Sequence, residues 1–303
     1  MKRIFYILGV ISILFSSCSE DELIPSNLDK DWYKLTDSGT TPVDQKIYNI
    51  YQETAYPIFT NDTIGKELRG QNPDGEDIWY YETLNYNYFI QTVDYEASIE
   101  AMSDEERSTI LDYLNFFDDE ILSFLPEGVT RSFYFVKDLN YKMTNSSSLF
   151  PVNVYIGLST TVVGNVLEYS SMTDEEKLDY KYDVLAIILA NYIMLNDTNG
   201  YLDDFISYSS ETLEAPYDIL VGSSGIDYDD YEDLGFLAPK TGRSASSTSY
   251  YAPSKSQDIT DYFKMYISNN KEIYSEFSNE SAIKFKFALF TEALENFGLK
   301  ITE

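Results

Sequence analysis

Between Val184 and Leu195 the chain runs Val-Leu-Ala-Ile-Ile-Leu-Ala-Asn-Tyr-Ile-Met-Leu, apolar almost all the way round a helical wheel. A helix without a polar face is enclosed by other elements on every side, so the fold has to surround this segment. Thr173 and Glu176 mark its start with the spacing of a capping box, in which each side chain satisfies a backbone N–H of the other. Asn199-Gly200 predicts the stop.

The remaining pattern alternates short strands with helices. Ser103 and Glu106 repeat the capping-box spacing, and Ile110, Leu111, Leu114, Phe117, Ile121 and Leu122 recur at helical spacing until Pro126. Ser132 to Val136 and Val152 to Leu158 are β-branched or aromatic runs expected as strands. Upstream, Trp32 to Leu35 reads as a first element, Pro42 to Thr54 as a short helix and Tyr56 to Thr60 as a strand. Asn61 to Asp77, polar and glycine-containing, is expected as loop, and Ile78 to Val93 fits strand or helix equally. Tyr201 to Ser249 is expected to be irregular, most of all over Gly242 to Ser249. Two helices, Gln257 to Ser268 and Ser281 to Phe297 with Gly298 as its cap, close the chain. With no internal repeat and no clean linker, residues 31–303 are expected to form one α+β domain.

The N-terminus is of another kind. Lys2 and Arg3 precede twelve apolar residues, Ile4 to Phe15, which fit the core of a secretory signal and are too few to span a bilayer. Ser16 and Ser17 lead into Cys18, the chain's single cysteine. Small residues ending in cysteine are what lipoprotein signal peptidase reads, so residues 1–17 are expected to be cleaved and Cys18 acylated. A lone cysteine in an exported chain has no intramolecular disulfide to make. Residues 18–30 read as an acidic tether. Its Ser19-Glu20-Asp21-Glu22 is similar to tags that route lipoproteins of Bacteroidetes-type bacteria to the cell surface, and reads equally as a solvated spacer. An outer-membrane lipoprotein is expected, facing the exterior or the periplasm.

Charge and composition narrow the chemistry. The net charge is −30, and −32 once Lys2 and Arg3 are removed, a field that repels nucleic acid and anionic lipid surfaces. At 44% hydrophobic the chain can build a sizeable core, and its 28 tyrosines suit contacts with sugars or peptides where they are exposed. There is no histidine, which excludes Ser-His-Asp and Cys-His nucleophile systems, histidine general bases and His-ligated zinc. Commitment of Cys18 to a lipid removes thiolate sites as well.

Several segments carry a resemblance in their shared order: Ile47–Thr63 (IYNIYQETAYPIFTNDT), Met102–Asp138, and Thr173–Leu195 (TDEEKLDYKYDVLAIILANYIML). Gly235-Phe236, Tyr250–Tyr266 and the terminal Phe297-Gly298-Leu299 extend it. Over most of its mature length the chain resembles the zinc-binding metallopeptidase lipoproteins of Bacteroidetes, whose genes accompany outer-membrane nutrient-import systems. The resemblance implies a zincin-like fold: a small mixed sheet, a buried central helix and a mostly helical C-terminal half. It also implies an HExxH motif on the buried helix, two histidines on one face binding zinc and a glutamate acting as general base. Those positions fall here on Ala186, Ile187 and Ala190, and the third ligand, from an EDFAE-like motif, falls on Asp261 within Gln257–Asp261. Two methyl groups cannot ligate a metal, and an isoleucine cannot move a proton. The expectation is a catalytically inactive relative holding no metal and no cofactor, whose partners are a membrane through Cys18 and an import complex, a peptide or a glycan.

Two further readings stay open at this point. The cluster Asp227, Asp229, Asp230, Glu232 and Asp233 supplies hard oxygen ligands for calcium, although Tyr231 interrupts the EF-hand pattern and a solvated loop accounts for it too. An active hydrolase is the alternative, either a carboxylate pair of glycosidase type or a metallopeptidase whose site lies elsewhere; 51 acidic residues permit many such pairs.

Overall fold

The structure is a computed structural model of the full chain, and it describes residues 30–37, 39–86, 95–143, 149–221, 231–240, 250–268 and 281–299. The signal segment, Cys18, the acidic cluster beside it, residues 227–230 of the second acidic run and the 242–249 stretch lie outside the described residues. The described chain forms two compact units, one built from residues 30–34 and 63–83 and the other from residues 35–62 and 84–299.

The larger unit is α+β. Its central sheet has the order β1-β5-β9-β8, made of Ile58–Phe59, Phe133–Phe135, Thr161–Val163 and Val154–Ile156. β1 and β9 run parallel to β5, whereas β8 pairs antiparallel with β9 at the edge. β5 and β9 are buried along their whole length, as expected for parallel strands covered on both faces. A second, antiparallel sheet joins β4 (Tyr95–Glu100), β6 (Asp138–Met143) and β7 (Leu149–Pro151).

Helices cover the central sheet. α1 (Pro42–Thr54) opens on Thr41, whose hydroxyl accepts from the Asp44 N–H, and buries Val43, Ile47 and Ile50. The capping box at Ser103 forms as expected, but the helix it opens is broken. α2 spans only Asp104–Arg107, and α3 resumes at Leu111–Glu120. Two hydroxyls turn back on the chain at the break: Ser108 donates to the Glu105 carbonyl and Thr109 to that of Glu106. Such side-chain bonds compete with helical backbone pairing.

α4 (Asp174–Asn196) is the enclosed helix. Its capping box at Thr173 is present, and Val184, Leu185, Ala186, Ile188, Leu189, Ala190 and Ile193 are all buried in the main core. The enclosure is shorter than the sequence suggests, because Leu195 is 74% exposed. The helix ends on Asp197 and not on Gly200; the Asp197 carboxylate accepts from the backbone N–H groups of Tyr201 and Leu202. α5 (Asp203–Ser207) follows and runs into a π-helical turn, Tyr208–Thr212, where irregular chain is expected from sequence. A small second core, Ala215, Val221, Leu234, Phe236 and Ala252, forms beside the short pair β10 (Leu220–Val221) and β11 (Tyr250–Tyr251). α6 (Lys255–Ile267) packs on α4, and α7 (Ala282–Phe297), closed by left-handed Gly298, packs on α5 and α6. Among the described residues no helix is long and apolar enough to cross a membrane.

The smaller unit corrects the loop expected over Asn61 to Asp77. β2 (Thr63–Gln71) and β3 (Asp77–Thr83) form an antiparallel hairpin closed by Asn72–Gly75, with Trp32 laid on Gly65, where any Cβ would collide with the indole. Trp32 itself belongs to a turn and not to a regular element.

Candidate functional site

The residues singled out by the resemblance lie on α4 and α6, which pack along a common seam. Ala186 and Ala190 are one turn apart on α4 and fully buried, while Ile187 is only partly buried against the same core. Asp261 comes from the second turn of α6, a helix started by Ser254, whose hydroxyl accepts from the Gln257 N–H. Its Oδ2 is sealed from solvent without a protein hydrogen-bond partner. Burial, reinforced by the Asp258 charge, pushes the Asp261 carboxyl up to about 7.

The polar part of the seam is one helical turn away. Lys264, on α6, places its ammonium 2.6 Å from Asp183 Oδ1 and 2.8 Å from Asp179 Oδ1, both on α4. The other oxygen of Asp183 accepts from Asn153 Nδ2 at 3.0 Å, and Asn165 in turn donates to Asn153 at 2.8 Å. Burial works against the Lys264 charge, but its bonds to Asp179 and Asp183 outweigh that cost and hold its pKa above the ordinary lysine value.

A second constellation was not foreseen from sequence. Lys286 of α7 is fully buried and donates to Asp258 Oδ2 (2.6 Å), Ser209 Oγ (2.7 Å) and the Gly235 carbonyl (3.0 Å). Its ammonium also lies 4.6 Å from the Phe205 ring centroid and 4.7 Å from that of Phe236. Tyr217 donates to the same Asp258 oxygen at 2.8 Å, and Tyr262 to the Gly235 carbonyl at 2.9 Å. Burial pushes the pair toward neutrality from both sides, Asp258 upward and Lys286 downward, and their mutual attraction opposes it. Gly235 is required here: its φ is +72°, and a Cβ would sit 3.1 Å from Lys286 Cδ.

A serine hydroxyl beside a lysine amine is the geometry of a Ser–Lys nucleophile system. This one is spent on structure. Ser209 is fully buried, accepts from Lys286 and donates to the Leu234 carbonyl at 2.8 Å, so no substrate atom reaches its oxygen. The signal available in sequence was a lysine on the apolar stripe Ile283, Phe290, Ala293, Leu294 of the last helix.

The zinc that the resemblance implies does not fit these residues. Ala186 and Ala190 offer buried methyl groups, Ile187 offers no base, and Asp261 would be a single carboxylate whose raised pKa favours a proton. Among the described residues, no group of three or more His, Cys, Asp or Glu side chains is arranged to hold a metal ion. No family model, curated protein or solved structure matches the chain.

Proposed function

We propose that this chain is a lipoprotein acylated on Cys18 that carries a zincin-like scaffold emptied of its metal chemistry, and that it acts as a non-catalytic binding or accessory component of an outer-membrane nutrient-import system. The observation that carries this reading is the seam itself. The helix at which the resemblance would put two zinc-binding histidines and a base instead buries two alanines and packs a partly buried isoleucine against the core. The mixed sheet, the enclosed helix after it and the helical C-terminal part are in keeping with a zincin-like plan. The net charge of −30 and the abundance of tyrosine suit a peptide or glycan ligand and disfavour nucleic acid.

Metabolic labelling with an alkyne-bearing palmitate tests the anchor. The full-length chain is expected to be labelled and to fractionate with outer membranes, and Cys18→Ser to lose both properties; label retained in Cys18→Ser would refute acylation there. Glycan and peptide arrays test the binding role, and peptide-bond or glycosidic cleavage of arrayed ligands would refute it.

A further inference from the structure

Asp179 and Asp183 lie four residues apart on α4, so their carboxylates project from the same side of the helix. Two like charges at that spacing repel, and α6 brings a third carboxylate, Asp261, toward them, close enough that Asp183 raises its pKa. The charged groups from each element packed here are Asp179 and Asp183 of α4 and Asp258, Asp261 and Lys264 of α6, with Asn153 contributing an amide from the strand side. Asp258 is neutralised from within the core by Lys286. Among the described residues, Lys264 is the positive charge in contact with Asp179 and Asp183.

We infer that Lys264 is the built-in cation of the α4–α6 seam: an ammonium carried by one helix and chelated by two carboxylates of the other, doing the work that a bound divalent ion does where acidic groups of two elements meet. Its place in the last turn of α6 adds to this, because the helix end favours a cation there. Asn153 holds Asp183 from its second oxygen, so the carboxylate is fixed in the orientation that Lys264 needs. The inference stands on this geometry alone and does not require the proposed descent from a metallopeptidase.

The test compares thermal unfolding of the full chain and of Lys264→Met, each with millimolar calcium chloride or with sodium chloride of equal ionic strength. The wild-type response to calcium, which includes any ion held by the acidic run at 227–233, is the baseline. Lys264→Met is expected to melt lower by roughly 1–2 °C, the shift corresponding to about 1 kcal/mol in a chain of this size, and to recover in calcium but not in sodium. A Lys264→Met protein as stable as the wild type, or one that calcium does not restore, overturns the inference. So does a Lys264→Met protein that calcium stabilises no more than it stabilises the wild type. Asp179→Asn/Asp183→Asn guards against a variant that fails to fold: it is expected to remove most of the cost of Lys264→Met when the two are combined. Should Lys264→Met not fold in either background, the lysine's role is packing and the inference fails.

Discussion

Lys286 and Asp258 form a charge pair with essentially no contact with water, so each is held ionised only by the other and by the dipoles around it. Removing one partner leaves an uncompensated buried charge. Lys286→Met is expected to cost about 3–5 kcal/mol, read as a lower denaturant midpoint, and the apolar double variant Lys286→Met/Asp258→Leu to regain a large part of it. A single variant as stable as the wild type would show that the pair contributes nothing. Asp261 predicts a pH dependence. Its carboxyl titrates at about 7 in the folded chain against an ordinary value of 3.8. Below that ordinary value both states hold the proton and its contribution is fully present. As pH rises from about 4 to 7 the unfolded chain releases a proton that the folded chain keeps, so stability falls across that window and the contribution is gone above it. Asp261→Asn is expected to flatten that part of the curve of melting temperature against pH, and an unchanged slope would contradict the assignment.

Elements differ in how plainly the sequence announces them, and the hairpin shows why. Its rings are each faced by a cation: Lys66 stands 4.0 Å from the Trp79 centroid and 5.5 Å from that of Tyr81, and Arg69 stands 3.7 Å from that of Tyr80. A two-stranded hairpin is marginal by itself, and cross-strand pairs of this kind decide whether it persists. Lys66→Ala/Arg69→Ala is expected to speed amide exchange across Thr63–Thr83 while leaving α4 protected; equal protection in the hairpin would refute the role of the cations. β2 escaped the sequence reading because Thr-Ile-Gly-Lys-Glu-Leu-Arg-Gly-Gln alternates neither in polarity nor in burial, which a strand with no deeply buried face need not do. The capping boxes at Ser103 and Thr173 were legible because two residues at a fixed spacing encode them. The break after Arg107 was not, since it rests on hydroxyls whose rotamers the sequence does not fix. Likewise the enclosure of α4 was foreseen from its apolar run and its partnership with the Asp261 segment only through the resemblance, whereas the Lys286 cluster gathers Ser209, Tyr217, Gly235 and Asp258 from segments that only the tertiary fold brings together.

At the scale of the whole molecule, an acidic α+β body held by an N-terminal lipid, with no metal chemistry in its interior, is what we propose. What would be a zinc-binding turn by resemblance is a packed hydrophobic turn here, and Asp183, earlier on the same helix, is bonded to a lysine of α6. Metal content measured on protein isolated from its native membrane and dialysed, together with cleavage of a peptide library, tests this claim most directly. Zinc far below one atom per chain and an uncut library are expected. One zinc per chain that survives dialysis, with peptide cleavage that a chelator abolishes, would contradict it.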